Sequence, residues 1–251
     1  MIFSRNIFLY FLLVLLFACS PKNKLSKIEQ SNIELNNSNK EDSITLKLIA
    51  PYKNKMKDEM EEVLIVSENE AVKGEPEGTL GNVVADIVLK QGNIYCERGH
   101  TEKADICLLN NGGLRTPLPK GAITTGKIFE LMPFENELVI LTLSGKKTLS
   151  MFNYIAFQSG MPMAGAKMTI KKGKATNILI NNIAIDTSRS YRVITSDYLS
   201  NGGDKMNFFS KPEKTEAINH KIRDGIIEYL RAENKKGNTL KPSLDGRIKF
   251  E

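Results

Sequence analysis

Segments with helical and with extended apolar spacing alternate along residues 44–251, and this alternation limits the possible folds more than any other property of the chain. In residues 79–92 the apolar side chains recur at the i, i+3, i+4 spacing of one helix face. Short apolar or alternating runs at 104–110, 136–145 and 191–199 are typical of strands. The pattern predicts a single α/β (mixed α+β) domain, with a mixed sheet and flanking helices.

The other predicted elements are shorter or lie near the chain ends. Residues 44–50 indicate a short strand, and residues 51–64 a helix with a proline in its first turn. The remaining predictions are a short helix or turn at 126–133, an amphipathic segment at 146–159, a hairpin around Lys172-Gly173 and a long amphipathic helix at 215–234.

The first residues predict an export signal outside the fold. Arg5 precedes an apolar run at 7–18, which is shorter than the roughly 20 apolar residues of a membrane-spanning helix. The run ends as Leu-Phe-Ala-Cys, which resembles the lipidation signal of bacterial lipoproteins. We predict a lipoprotein signal peptide at 1–18, lipidation of Cys19 and a flexible polar tether at 19–43. The alternatives are an ordinary signal peptide with a chance cysteine, or an uncleaved anchor.

The residue after Cys19 indicates where such a lipoprotein would be attached. It is Ser20, and not the aspartate that in many Gram-negative bacteria marks retention at the inner membrane. We therefore predict a cell-envelope lipoprotein held by its lipid in the outer membrane and facing the periplasm, with surface display as the alternative. In that oxidising compartment Cys96 and Cys107 either form a disulfide or remain two buried thiols, and the sequence leaves both open.

The charge of the chain argues against one class of partner. The formal net charge is +6, but the basic residues are scattered among 29 acidic ones. Because no basic block is interleaved with aromatic residues, a nucleic-acid polymer is not expected as a partner.

Two Asn-Gly-Gly loops, each placed after a predicted strand, break the ordinary pattern. The first contains Asn110, Gly112, Gly113 and Arg115. Its glycines allow a close approach of a ligand to the backbone, and arginine offers a planar fork for phosphate or carboxylate. The alternative is a tight turn with a surface arginine.

The second loop contains Tyr198, Gly202, Gly203 and Asp204. A tyrosine beside a glycine loop can stack on a base, and an aspartate can accept hydrogen bonds from ribose hydroxyls. The alternative is a hairpin with Tyr198 filling the core. A third segment, Pro133-Phe134, precedes a buried strand, and we interpret it as core packing.

These motifs occur in an order that resembles the C-terminal domain of the 5′-nucleotidase family. The resemblance rests on Asn-Asn-Gly-Gly-Leu-Arg, Met-Pro-Phe-Glu-Asn, and Ser-Asp-Tyr-Leu-Ser-Asn-Gly-Gly-Asp, together with PEGTLGNVVAD at 76–86 and DGRI at 245–248. It runs over about residues 44–251 and implies the fold of that domain, in which a nucleoside is held. In complete members of the family, this domain follows a metallophosphatase domain that holds two divalent metals.

The resemblance also implies roles for individual residues. Arg115 would hold the anionic or sugar part of the nucleotide, Tyr198 would stack on the base, and Asp204 would hydrogen-bond to the ribose. The second stacking aromatic of the family should lie within residues 159–168, where Met161 occupies its position and Phe157 lies nearby. This departure puts the double aromatic clamp in question.

The residues of a phosphatase centre are missing from this sequence. Its only histidines are His100 and His220, and neither lies in a metal-binding or Ser-His-Asp context. No Walker-type phosphate loop is present. We therefore predict no metal, cofactor or catalytic residue in this chain, and divalent metals only in a separate metallophosphatase subunit. The alternatives are an envelope lipoprotein that binds nucleosides or nucleotides without catalysis, and a structural lipoprotein that has lost the pocket.

Overall fold

The computed structural model of the protein describes residue 27, residues 29–32 and residues 41–251. The predicted signal peptide, Cys19 and most of the predicted tether lie outside these residues. One compact unit comprises Ile49–Glu251. No helix within the described part of the chain is long and apolar enough to cross a membrane.

Helices and strands alternate through the described residues, which confirms the mixed α+β fold class. The helices of at least four residues are α1 (Ser43–Glu61), α2 (Thr79–Arg98), α3 (Thr125–Leu131), α4 (Gly145–Phe157), α5 (Asp197–Ser200) and α6 (Ile222–Lys235). The strands are β1 (Val63–Ser67), β2 (Ile106–Leu108), β3 (Gly121–Thr124), β4 (Glu137–Ser144), β5 (Met163–Ala164), β6 (Ala166–Lys171), β7 (Lys174–Ile180), β8 (Ile183–Ala184), β9 (Ser190–Ser196), β10 (Lys214–Lys221) and β11 (Ile248–Phe250).

A five-stranded mixed sheet forms the centre of the domain. Its strand order is β10-β4-β9-β2-β5, and within it only β9 and β2 run parallel to each other. Successive side chains of β4 point to opposite faces. Leu138 and Ile140 pack in one hydrophobic cluster with α2 and α6, while Leu141 and Leu143 pack in a second cluster with α4. Both faces of the central sheet are therefore buried.

Two smaller sheets complete the domain. A four-stranded sheet has the order β11-β6-β7-β8, with β11 parallel to β6 and the other pairs antiparallel. Met168 of β6 and Ile178 of β7 pack in the same cluster as Phe152 of α4. β1 and β3 form a separate antiparallel pair.

The predicted strand at 44–50 is wrong, because these residues belong to α1. The backbone N–H of Thr45 donates to Oδ1 of Asp42 at 2.7 Å, so an aspartate caps the first turn of this helix. The alternating apolar residues suggested a strand, but no side chain of α1 is buried. Local capping decides the structure here, because no packing partner imposes an extended conformation.

The predicted helix at 215–234 is right only in its second part. Residues before Ile222 form β10, which extends the central sheet by pairing antiparallel with β4. The register shifts between Ala217 and Lys221, and Asn219 has a positive φ of 57°. Pairing with an available sheet edge satisfies the backbone groups of this segment and overrides its helical apolar spacing.

Both cysteines of the described region are buried and unpaired. Cys107 lies on β2, where burial raises the pKa of its thiol far above the ordinary value. Of the two possibilities that the sequence left open, the structure therefore has the two buried thiols.

Candidate functional site

Three loops meet at one edge of the central sheet and enclose an open cleft of about 670 Å³. Because β2 and β9 are parallel neighbours, the loops that follow them leave the sheet at the same edge. β4 is antiparallel to β9, so the segment that precedes β4 lies at this edge as well. The cleft is lined by residues from 109–115, 132–136 and 196–204, and by Ile222.

The carboxylate of Asp204 is at the centre of a hydrogen-bond network that joins both Asn-Gly-Gly loops. The Tyr198 hydroxyl donates to Asp204 Oδ1 at 2.9 Å, and Asn110 Nδ2 donates to Asp204 Oδ2 at 2.6 Å. The Tyr154 hydroxyl donates to the backbone oxygen of Asp204 at 2.6 Å. Asp204 has the left-handed backbone angles φ 52° and ψ 28°. The network therefore fixes a carboxylate that an isolated turn residue would leave free to rotate.

The glycines of the two loops permit close packing around this carboxylate. Gly202 has a left-handed φ of 92°. A Cβ on Gly203 would lie 2.5 Å from Cε1 of Tyr198, so only glycine lets the ring lie against the loop backbone. A Cβ on Gly113 would lie 2.8 Å from Oδ1 of Asn110. Gly112 and Gly113 line the cleft, whereas Gly202 and Gly203 do not; Gly203 positions Tyr198, and Gly113 positions Asn110.

Arg115 and Phe134 line the cleft together. The guanidinium carbon of Arg115 lies 5.9 Å from the centre of the Phe134 ring, and Arg115 Nη1 donates to the Gly112 oxygen at 3.3 Å. Phe134 is 45% exposed and Tyr198 is 48% exposed, although both are large aromatic residues. The interpretation of Pro133-Phe134 as core packing is therefore wrong, because both residues are exposed. The cleft has two aromatic side chains whose surfaces are available to a ligand.

Met161 and Phe157, which the sequence assigned to the binding site, do not line the cleft. Met161 is 8% exposed and packs in the hydrophobic cluster that contains α4 and one face of the central sheet, while Phe157 is 76% exposed at the end of α4. The backbone explains the position of Met161: Leu109 N donates to the Pro162 oxygen at 2.9 Å, so this segment runs along the edge of the sheet beside β2. Phe134 is the second cleft aromatic, and sequence reasoning missed it.

Asp197 connects the segments that carry the two cleft aromatics. Its Oδ1 accepts hydrogen bonds from Asn136 Nδ2 at 2.8 Å, from Glu137 N at 3.2 Å and from Tyr198 N at 2.7 Å. Ser196 caps α5, the short helix that begins at Asp197, since its Oγ accepts a hydrogen bond from Leu199 N at 3.1 Å. The sequence placed Asp197 before the second loop but gave it no role.

The buried side chain of Arg223 contacts the backbone of the segment that contains Phe134. Arg223 lies 4.0 Å from the centre of the Phe129 ring, and its Nη1 reaches the backbone oxygens of Met132 and Phe134, each at 3.5 Å. Its Nη2 forms an ion pair with Glu135. Lys221 and Arg223 hydrogen-bond to Glu135 and lower the pKa of this carboxyl to about 2. Glu135 therefore stays ionised at neutral pH and pairs with cations beside the cleft.

We expect Asp197→Ala to lower the free energy of unfolding by about 2 kcal/mol, because three donors lose their common acceptor. Asp197→Asn keeps an acceptor oxygen at this position and should lose less than half as much. Urea denaturation of the two variants and the wild type measures the difference. Equal stability of wild type and Asp197→Ala would show that this carboxylate does not tie the segments together.

Neither histidine lines the cleft. His100 is exposed after α2, and His220 is exposed on β10, where its ring stacks on Tyr95 with centres 4.1 Å apart. The sequence predicted His220 within a helix at 215–234. This prediction is wrong, because residues 214–221 form β10 and pair with β4. Across the residues that the structure describes, no group of three or more His, Cys, Asp or Glu side chains is arranged to hold a metal ion.

Known proteins share both sequence and fold with this chain. A 29% identical segment of 194 residues occurs in a trifunctional nucleotide phosphoesterase protein of Bacillus subtilis, covering 69% of this chain and 12% of that protein. A 5′-nucleotidase of Vibrio vulnificus is 28% identical over 195 residues, covering 73% of this chain and 34% of that protein. The crystal structure of a 5′-nucleotidase precursor from Thermus thermophilus matches with a TM-score of 0.69 at 21% identity, over 82% of this chain and 43% of that one.

These matches concern one part of longer proteins, since the chain spans less than half the length of each of these relatives. The structural likeness supports the mixed α+β fold described above. The family model described as the 5′-nucleotidase C-terminal domain matches residues 62–211, which include both Asn-Gly-Gly loops and the Phe134 segment. Because this match covers more than half of the chain, the protein belongs to the 5′-nucleotidase C-terminal domain family.

Proposed function

We propose that the domain binds nucleotides as the substrate-binding half of a 5′-nucleotidase-type hydrolase. The observation that carries the proposal is the cleft itself: two half-exposed aromatic rings, an arginine and a fixed carboxylate converge in it from three loops. The relatives with similar sequences, a 5′-nucleotidase and a nucleotide phosphoesterase, support the same class of ligand.

The chemistry of the lining residues divides between the parts of a nucleotide. The faces of Phe134 and Tyr198 suit a base, because aromatic rings stack on every base. The carboxylate of Asp204 suits sugar hydroxyls, since it accepts hydrogen bonds and donates none. Arg115 suits a phosphate, to which a guanidinium can donate parallel hydrogen bonds.

We propose that hydrolysis requires a separate metallophosphatase. The support comes from composition: with only two histidines, these 251 residues lack the imidazole ligands typical of a dinuclear phosphatase. The domain would then present the nucleotide, and divalent metals held by the partner would supply the chemistry. Attachment to the envelope through a lipid on Cys19 also stays a proposal, which mass spectrometry of the N-terminal peptide from membranes would test.

One experiment separates this function from a binding protein without catalysis. The purified chain, incubated with AMP and Mg²⁺ or Mn²⁺, should release no phosphate. Material captured on the tagged chain from envelope extracts should release phosphate from AMP, and EDTA should stop the release. Nucleotide binding with no hydrolysis in any captured fraction would instead favour the stand-alone binding lipoprotein. Turnover by the pure chain would contradict the need for a partner.

Arg115→Ala should weaken AMP binding by about tenfold and leave adenosine binding within about twofold, because a charge-assisted hydrogen bond to phosphate is lost. Calorimetric titration with both ligands measures the two effects. Arg189→Ala is the matched control. Arg189 is exposed and its guanidinium carbon lies 5.9 Å from the centre of the Tyr191 ring, as that of Arg115 does from the Phe134 ring, but Arg189 does not line the cleft. Equal losses for AMP and adenosine in Arg115→Ala would contradict a phosphate-binding role.

A further inference from the structure

The Tyr198 side chain offers two different surfaces to the cleft. Its ring is half-exposed and lines the cleft, while its hydroxyl is hydrogen-bonded to Asp204 Oδ1 at 2.9 Å. A phenylalanine at this position would keep the ring and lose that hydrogen bond. The hydroxyl therefore adds a contact to Asp204 that stacking on a base does not require.

We propose that the Tyr198 hydroxyl is a specificity-determining group, which holds Asp204 as an acceptor for the vicinal hydroxyls of ribose and so makes the site select ribonucleosides over deoxyribonucleosides. This inference rests on the proposed function. Tyr198 is a positioning residue in this role, because it acts on the sugar through Asp204.

The distribution of donors around Asp204 supports this role. An ionised carboxylate has about two acceptor positions on each oxygen. Tyr198 takes a position on Oδ1 and Asn110 takes a position on Oδ2, at 2.9 and 2.6 Å. Each oxygen keeps capacity for a further donor, which matches the two neighbouring hydroxyls of a ribose. A 2′-deoxyribose or 3′-deoxyribose would satisfy only one of them.

The carboxylate is also fixed through its backbone. The Tyr154 hydroxyl donates to the Asp204 oxygen at 2.6 Å and accepts from Gln158 Nε2 at 3.1 Å. Asp204 has a left-handed backbone conformation, and so does Gly202, two residues before it. An acceptor that is already oriented loses less conformational entropy when the ligand binds, so its hydrogen bonds contribute more to affinity.

The environment of the phenol is consistent with this geometry. The hydrogen bond to the Asp204 carboxylate raises the pKa of the Tyr198 hydroxyl above its ordinary value, so the hydroxyl remains a donor at neutral pH. A site that places hydrogen-bonding groups on a substrate hydroxyl discriminates strongly against the analogue without it. We therefore expect the discrimination to depend on the hydroxyl of Tyr198 and not on its ring.

The test compares ligands that differ by one hydroxyl. The four common ribonucleosides are titrated into the purified full chain, and the tightest binder is compared with its 2′-deoxy and 3′-deoxy forms and its free base. We expect the wild type to favour the ribonucleoside by at least about tenfold. In Tyr198→Phe this ratio should fall to about threefold or less, while the affinity for the free base changes by less than about twofold, since the ring is kept.

Two further variants sharpen the result. Tyr154→Phe removes the hydroxyl that holds the Asp204 backbone and should lower the ratio in the same direction. Tyr229→Phe removes a hydroxyl outside this cleft and should leave all four affinities unchanged. Urea denaturation of each variant shows whether the fold is kept.

The outcomes separate this inference from the proposed function. An unchanged ribose-to-deoxyribose ratio in a well-folded Tyr198→Phe variant would overturn the role of the hydroxyl and leave nucleotide binding intact. If no ribonucleoside or its 5′-monophosphate bound the wild type, the proposed function would fail, and this inference would fail with it.

Discussion

Phe134→Ala is expected to weaken nucleoside binding by roughly ten- to a hundredfold, because stacking of a base on an aromatic ring contributes about 1–3 kcal/mol. The ring is 45% exposed in the cleft, so its truncation should leave the fold intact. Calorimetric titration of the wild type and the variant with adenosine and AMP measures the loss.

Phe157→Ala is the informative comparison for this prediction. The sequence assigned Phe157 to the neighbourhood of the ligand, whereas the structure leaves it outside the cleft. We expect its truncation to change the affinity by less than about twofold. A large loss in Phe157→Ala with no loss in Phe134→Ala would favour the sequence assignment over the structural one. Tyr198→Ala should resemble Phe134→Ala, because both rings are available for stacking.

Arg247→Ala is expected to lower the free energy of unfolding by about 3 kcal/mol or more, because it removes a buried charge from its partners. Arg247 is 7% exposed and donates to Asp86 through two hydrogen bonds of 2.7 and 2.9 Å. It also donates to Asp245 at 2.9 Å and to the Met163 oxygen at 2.8 Å. These contacts connect the C-terminal segment to α2 and β5, and urea denaturation measures their contribution.

Arg247→Lys is the matched control, because it keeps the charge but not the planar fork that binds Asp86 at two points. We expect its loss of unfolding free energy to be smaller than that of Arg247→Ala.

The pH dependence of stability gives a second measurement. The hydrogen bond from Arg247 lowers the pKa of the Asp245 carboxyl below its ordinary value of 3.8. The ionised carboxylate therefore stabilises the fold above about pH 4, and this stabilisation is lost as the pH falls through the lower pKa of the folded state. In Arg247→Ala this acid-dependent part of the stability should shrink; unchanged stability and pH dependence would contradict the role of Arg247.

The sequence predicted most of the helices and strands that pack on the core. The apolar spacing at 79–92 and 146–159 corresponds to α2 and α4, and the hairpin at Lys172-Gly173 joins β6 to β7. These elements carry their own signal, because buried positions repeat with the period of the element. The predictions failed at 44–50 and at 215–221, where a cap or a free sheet edge decided the backbone conformation, and at 63–64 and 197–199, where β1 begins and α5 follows β9.

The candidate site was predicted in part for the same reason. The Asn-Gly-Gly loops are visible in the sequence because glycine and asparagine mark unusual backbone angles and close approaches. Phe134 was missed because an aromatic residue before a buried strand has the same sequence pattern whether it enters the core or faces a cleft. The available signal was its position between α3 and β4, next to the polar pair Glu135-Asn136.

Residue types and spacing determined that this chain forms a mixed α+β domain with two glycine-rich loops, and that it lacks the histidines of a dinuclear phosphatase. Tertiary structure decided which side chains share the cleft. The parallel pairing of β2 with β9 brings Asn110 to Asp204, 94 residues apart, and the pairing of β5 with β2 draws Met161 into the core. Such contacts depend on strand order in the sheet, which local apolar spacing does not encode. For this reason Phe134, and not Met161, lines the cleft together with Tyr198.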